Sequence, residues 1–285
     1  MTTDNIVFIV GAGSVGLALA HALVDSDVEV SGIWNRSARS LDALPDGVPL
    51  FVSWDADGLR DAIHSSAIVI LAVSDQAIGP CSTKLLEFGL IGPNTTLAHT
   101  SGCSPVSTIT PAAGIYRGGI HPLTAIPSAT KGRARLRTCV YGIEGDGPAH
   151  DRLHALANTL GGRPFSLATE KRAQYHAAAV MASNLLVGVM DMAIEEAKNA
   201  GLKDPTPSLI ELALGAIRSI GESGVQNALT GPIVRGDSET VAAHLEALDN
   251  PSRATYQHLS ARLLSIAKTR DLEPDRLAEL EKLLS

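Results

Sequence analysis

The feature that most constrains this chain stands at its start. The apolar run Asn5 to Val10 leads directly into Gly11-Ala12-Gly13-Ser14-Val15-Gly16, and apolar residues at helical spacing continue from Gly13 to Val24. A G-x-G-x-x-G hexapeptide alone is a weak signal. Between a strand and a helix it acquires a mechanical meaning. Gly11 permits a tight turn, Gly13 lets the backbone approach a pyrophosphate, and Gly16 lets helix and strand pack closely. The helix N-terminus then presents unpaired N–H groups and a positive dipole end to the phosphates. The competing reading is no more than a tight strand–helix turn.

The second strand, Val28 to Trp34, ends in Asn35-Arg36-Ser37. An Asp or Glu here would bind the ribose hydroxyls of NAD. No carboxylate is present to repel a 2′-phosphate, and Arg36 is placed to pair with one. This favours NADP(H) over NAD(H), against the alternative that Arg36 is a solvated loop residue. The apolar run Ala67 to Val73 leads into Ser74 and Asp75, and Thr96 to His99 leads into Thr100 and Ser101. The carboxyl ends of parallel strands border the ligand crevice, so Val73, Ser74, Asp75, His99 and Ser101 join the cofactor set. Asp75 has a second reading, as the cap of the following helix.

Further strands are expected at Leu50 to Val52 and Thr138 to Ile143. Strands alternating with helices imply right-handed crossovers and a parallel sheet. From about Glu170 the text turns Ala- and Leu-rich with helical periodicity. It predicts one long helix over Glu170 to Ala200, then helices at Pro205 to Gly221, Ser238 to Leu248 (with Ser238 as cap), Pro251 to Thr269 and Glu273 to Leu284. The fold class is therefore α/β: a doubly wound parallel sheet over 1–165, followed by an all-α domain over 166–285.

Composition narrows the partners. Acidic residues outnumber basic ones, 30 against 23, and aromatics make up 4%. That balance disfavours nucleic acid and anionic membranes. The longest uninterrupted apolar run, Ala67 to Val73, is far short of a bilayer span. Cys81, Cys103 and Cys139 form no close pair, so a reducing cytoplasm is the expected setting. The first residues carry no basic n-region, so no signal peptide is expected.

The strings GAGSVG, AVSD, HTSG, GGIHPL, YHAAAVMASN and LTGPIVRGD carry a resemblance. In their order and coverage the chain resembles bacterial Rossmann-like oxidoreductases with a C-terminal helical domain of unknown function. Thr100 replaces a more usual Cys or Ser of that family. More distantly it resembles ketopantoate reductases, pyrroline-5-carboxylate reductases and β-hydroxyacid dehydrogenases, with a 6-phosphogluconate dehydrogenase-like C-terminal domain. The resemblance implies an NADP-dependent reductase or dehydrogenase whose helical domain builds the substrate site and a homodimer.

Hydride transfer needs a group that can exchange a proton with the substrate, and histidine titrates in the useful range. His121 sits in Gly118-Gly119-Ile120-His121-Pro122-Leu123, read as a Gly-rich loop. His176, Val180 and Asn184 are spaced to form one stripe on the predicted long helix, and their polar groups would be costly to bury unpaired. The β-hydroxyacid dehydrogenases and ketopantoate reductases carry a catalytic Lys and an Asn on such a helix. Asn184 matches the Asn, the Lys has no counterpart, and His176 is the candidate replacement. In the turn Thr230 to Asp237, Thr230, Arg235 and Asp237 are candidates for a substrate carboxylate, or else form a local cap and ion pair. No His or Cys spacing fits a metal site. The reading is an NADP(H)-dependent oxidoreductase acting on a small carbonyl or imine acid, such as a ketopantoate-like 2-oxo acid. The alternative is an NADP(H)-binding sensor or scaffold without turnover.

Overall fold

A computed structural model describes residues 6–38, 44–269 and 273–285; Asn5, the first residue of the first expected strand, lies outside them. The chain divides into two compact units that meet between Ser183 and Asn184. The first unit runs past the expected boundary at 165/166 because a 3-10 turn and a further helix belong to it.

Its eight strands are β1 (Val7–Val10), β2 (Val30–Trp34), β3 (Leu50–Phe51), β4 (Ile68–Leu71), β5 (Thr96–His99), β6 (Tyr116–Leu123), β7 (Val140–Gly145) and β8 (Arg163–Ser166). They form one sheet in the order β3-β2-β1-β4-β5-β6-β7-β8. The helices are α1 (Ser14–Val24), α2 (Leu59–His64), α3 (Asp75–Glu87), α4 (Ala129–Leu136), α5 (Pro148–Thr159) and α6 (Arg172–Ala182). Alternate residues of β1 feed opposite faces. Val7 and Ile9 pack with Leu19 and Leu23 of α1 and Leu153 and Leu156 of α5. Phe8 and Val10 pack with Leu59 and Ile63 of α2 and Ile78 and Leu85 of α3. A sheet covered on both faces explains why its strands are continuously apolar. The strand order reverses at β1 and β4, which opens a crevice at their carboxyl ends.

Three sequence expectations need correction. The Gly118–Leu123 segment is not a loop but most of β6, and the sheet is not wholly parallel, because β6 pairs antiparallel with β7. The two glycines make room inside a strand. A Cβ on Gly118 would stand 2.4 Å from a Leu153 methyl, and one on Gly119 would stand 3.2 Å from both Arg172 and His99. Pro122 is tolerated because β5 pairs with β6 only as far as Gly119. Beyond that point the β5 side of β6 is unpaired while the β7 side stays paired, and a missing N–H on the open side costs no ladder bond.

The predicted long helix is also broken. A 3-10 turn at Thr169–Lys171 leads into α6, which stops at Ser183 (φ −129°, ψ −75°) before α7 (Asn184–Asn199) begins. The Ser183 hydroxyl donates to the Ala179 carbonyl at 2.7 Å, a back-bond that bends helices. The break falls between Val180 and Asn184, so the expected single stripe does not form. Residues 169–199 are long and apolar enough to cross a membrane by length and composition alone, although polar residues interrupt their apolar runs.

The second unit comprises α7, α8 (Thr206–Ala228), α9 (Pro232–Arg235), α10 (Ser238–Ala247), α11 (Asn250–Ala267) and α12 (Pro274–Leu284). Helices α9 to α12 enclose a small core of Ile233, Val241, Leu264, Ala267, Leu280 and Leu284. Helices α7 and α8 have no buried residue. Helix α8 runs on past the predicted stop at Gly221 and breaks at Gly224, whose φ of 78° is non-helical. The cap of α10 is Asp237 rather than Ser238: its carboxylate accepts from the Thr240 N–H at 3.1 Å and from the Thr240 hydroxyl at 2.8 Å.

Candidate functional site

The first part of the site is a pocket of about 490 Å³ at the β1/β4 reversal. Gly11, Gly13, Trp34, Asn35, Arg36, Ala72, Val73, Ser74 and Lys84 contribute to its walls. The three motif glycines serve three purposes. Gly11 adopts φ 112°, and a Cβ there would strike the Ala72 carbonyl at 2.4 Å. A Cβ on Gly16 would lie 1.9 Å from the Gly11 carbonyl oxygen. Around Gly13, by contrast, no atom lies within 4 Å of a Cβ position. That opening is the space a phosphate group can approach.

Asn35 ties the turn to the end of β2. The Ala12 N–H donates to its Oδ1 at 3.3 Å, and its Nδ2 donates to the Ser37 carbonyl at 2.8 Å. Ser14 and Val15 form the first turn of α1. Ser74 is the N-terminal flanking residue of α3, and Asp75 is the first helical one, so Asp75 is not the cap. The sequence reading missed Trp34, Trp54 and Lys84. The two indoles stack with centroids 3.7 Å apart and planes at 14°, and both line the pocket. They are the only tryptophans of the chain, but the nineteen residues between them in the sequence hid their contact.

The second part is a buried cluster, and it receives two residues that the sequence reading had assigned to the cofactor. His99, at the end of β5, is fully buried, and neither ring nitrogen has a hydrogen-bond partner. Ser101 spends its hydroxyl on the turn, accepting from the N–H groups of Cys103 at 3.2 Å and Ser104 at 2.9 Å. Neither residue lines the pocket. Arg172, 1% exposed at the start of α6, binds this turn to the rest. It donates to Glu144 of β7 at 2.8 Å and to the Ser101 carbonyl. Thr169 donates to the other oxygen of Glu144. The charge-assisted bonds make tolerable a pair that would be costly unmatched.

His121 and His176 complete the cluster. Their rings meet edge to face at 5.8 Å. A Cβ on Gly102 would lie 2.7 Å from His121 Nε2 and 2.5 Å from His176 Nδ1. Both nitrogens therefore face the same point on the Ser101–Gly102 turn. His176 Nδ1 is buried without a partner. On the far side of its ring, His121 Nδ1 is hydrogen-bonded to the Tyr175 hydroxyl at 2.9 Å. Burial, with the Arg172 charge added, pushes His99 down to about 4. Burial, His176 and Arg172 push His121 down to about 4, with Asp75 opposing. Burial pushes the Tyr175 phenol up to about 12. His99 and His121 are neutral at neutral pH, and the phenol keeps its proton. Arg172, Tyr175, Glu144 and Gly102 escaped the sequence reading. The sole hint was one carboxylate in the otherwise apolar run Val140–Gly145.

In the second unit, Asn184 opens α7, Thr230 lies in the α8–α9 connection, and Arg235 ends α9. The Arg235 carbonyl accepts from Arg276 at 3.1 Å. Asp237 is committed to its cap, and its hydrogen bonds to Thr240 hold its carboxyl below the usual range.

Residues 3–127 match the family model of a Rossmann-like domain, and residues 139–263 match that of a domain of unknown function, DUF2520. The two matches follow one another along the chain in the order that its sequence resemblance implied. The histidine cluster draws on both: His99, Ser101 and His121 come from the first, Glu144, Arg172, Tyr175 and His176 from the second. No curated protein matches the chain at a significant level. Among solved structures, a protein from Thermotoga maritima is 24% identical, with a TM-score of 0.73 over 92% of this chain and 98% of that one. A provisionally assigned NADP oxidoreductase from Bacteroides fragilis is 22% identical, with a TM-score of 0.72 over 92% and 99%. Pyrroline carboxylate reductase from Plasmodium falciparum, with NADP bound, is 10% identical, with a TM-score of 0.61 over 100% of both chains. At these identities the likeness is one of fold.

Proposed function

We propose that this protein is an NADP(H)-dependent oxidoreductase that passes a hydride between the nicotinamide and a small carbonyl or imine acid. The observation that carries the reading is the pocket at the β1/β4 reversal. It is open over Gly13, it has Arg36 and Lys84 in its wall, and among the described residues no carboxylate lines it. A pyrophosphate fits against the amides of the Gly-rich turn, and a 2′-phosphate fits the two cations. The solved structures of the same fold that bear oxidoreductase names support the class. When bound, the dinucleotide supplies the hydride; the chain supplies placement and proton handling. His121 and His176 face one point with their free nitrogens, which suits a substrate oxygen or nitrogen. Asn184 orients the substrate in this reading, and Thr230 and Arg235 bind its carboxylate, with Asp237 holding their turn by capping α10.

A homodimer belongs to the same proposal. Helices α7 and α8 leave Val187 69% and Leu212 71% exposed. Charges along both helices, including Asp191, Glu195, Arg218 and Glu222, suit a protein partner better than lipid. A second copy is the economical cover. Light scattering should give twice the chain mass of 29.7 kDa; a monomer at micromolar concentration would sink that part. Cytoplasmic location completes the reading, consistent with three free cysteines.

The test is direct. Trp34 and Trp54 make intrinsic fluorescence a reporter of the pocket, so NADPH should quench it at lower concentration than NADH. Turnover should emerge from a screen of 2-oxo acids and cyclic imines for NADPH oxidation. Tighter binding of NADH would overturn the cofactor preference. NADPH binding with no turnover across the screen would favour a sensor.

A further inference from the structure

A histidine serves as a proton donor in two ways. It can start as imidazolium, or it can start neutral and receive a second proton at one nitrogen as it releases the first from the other. The first way is closed to His121. Burial and the neighbouring Arg172 and His176 of α6 hold it down to about 4, against a single opposing charge from Asp75 at the start of α3, while His99 of β5 adds to the depression. At pH 7 the imidazolium is then about one molecule in a thousand. Release of a proton from neutral imidazole without replacement would leave imidazolate, which a buried site disfavours further.

The geometry points to Tyr175 as the proton source behind His121: its O–H donates to His121 Nδ1, which leaves an Nε2–H aimed at the Gly102 turn. This inference rests on the oxidoreductase reading and deepens it. The phenol oxygen and Nδ1 are 2.9 Å apart, and the rings stand perpendicular, at 89° with centroids 5.4 Å apart. Phe165 packs against Tyr175 at 5.6 Å, and a Cβ on Gly142 would touch its hydroxyl at 3.4 Å. The tyrosine is thus held from both sides, and its raised pKa keeps the O–H in place across the working range.

The protons balance as follows. Hydride adds to the substrate carbon, and the π electron pair of C=O or C=N takes the proton from Nε2. The Nε2–H bond breaks, an Nδ1–H bond forms, and the tyrosine O–H bond breaks. Arg172, whose charge acts on Tyr175, stabilises the phenolate. After product departs, Nε2 takes up a proton from solvent as Nδ1 returns its own to the phenolate, so one solvent proton is consumed per turnover. The imidazole is neutral throughout. Tyr175 is a positioning and relay residue, because it reaches substrate only through His121.

The test has two arms. In the first, nitrogen-15 NMR of the histidine rings is recorded on the full chain without substrate at pH 7. Wild type should show His121 as the Nε2–H tautomer, and Tyr175→Phe should lose that preference. An Nδ1–H tautomer in wild type overturns the proposal. In the second, with any substrate from the screen, Tyr175→Phe should lower kcat about 100-fold, with KM and the NADPH dissociation constant within about threefold. It should add nothing further to His121→Ala. A kcat within about threefold of wild type overturns the relay. Failure of the oxidoreductase reading appears separately, as no substrate in the screen, while the tautomer measurement still decides what Tyr175 does.

Discussion

The pocket at the β1/β4 reversal and the histidine cluster lie in the same unit but are built in opposite ways. The pocket is mostly backbone and small side chains from short contiguous stretches: the Gly-rich turn, the end of β2 and the end of β4. The cluster is made of large ionisable side chains from four separated segments, ordered by one buried guanidinium. The first is a local solution to binding an anion, and a few residues specify it. The second is a tertiary solution to holding protons out of water, and no short stretch contains it. Damage to the pocket should therefore change what binds, whereas damage to the cluster should change whether the unit holds together.

The largest effect expected is from Arg172→Met. It strands the Glu144 carboxylate and frees the Ser101 turn, and loss of one partner of a buried pair costs about 3–5 kcal/mol. Chemical denaturation measures this; a loss under 1 kcal/mol would mean the cluster is not the keystone described. Next is Gly16→Ala, where overpacking against rigid backbone should cost about 3 kcal/mol, while Gly13→Ala should leave the melting temperature unchanged and abolish NADPH quenching. If both variants behaved alike, the division of labour among the glycines would be wrong.

Acid should act on the cluster and not on the pocket. His99 and His121 titrate near 4 when folded and near 6.5 when unfolded. Between those values the unfolded chain binds protons that the folded chain refuses, so stability is full above about pH 6.5 and falls as pH drops toward 4. Each histidine contributes up to about 3 kcal/mol by this route. Denaturation midpoints at pH 7 and pH 4.5 check it, and His99→Asn should flatten the dependence. The smallest effect is specificity. Arg36→Ala should weaken NADPH about tenfold and leave NADH unchanged; an equal loss for both would move the 2′-phosphate site to Lys84 alone.

Legibility followed the same division. The glycine turn, Asn35 and Arg36 could be read directly, because adjacent residues on a strand–turn–helix must be adjacent in space. His121 could be picked out but was misplaced. Gly118-Gly119 and Pro122 look like loop punctuation until Leu153 and Arg172 are seen to need the missing side chains and β5 is seen to stop short. His99 was assigned to the wrong part of the site, since a strand's end tells where its backbone emerges and not which way its side chain packs. Arg172 gave no signal at all, because a buried arginine and a solvated one are written alike.

By itself, then, the sequence determined the doubly wound α/β architecture, the helical second half and the glycine-rich turn, each of which depends on interactions between near neighbours. Only the tertiary structure decided that Ser183 divides one apolar helix into two, that β6 is a strand and that three histidines, an arginine and a tyrosine share one buried site. Those outcomes depend on which distant segments desolvate one another, and a charge or a proton is governed by that desolvation rather than by its neighbours along the chain.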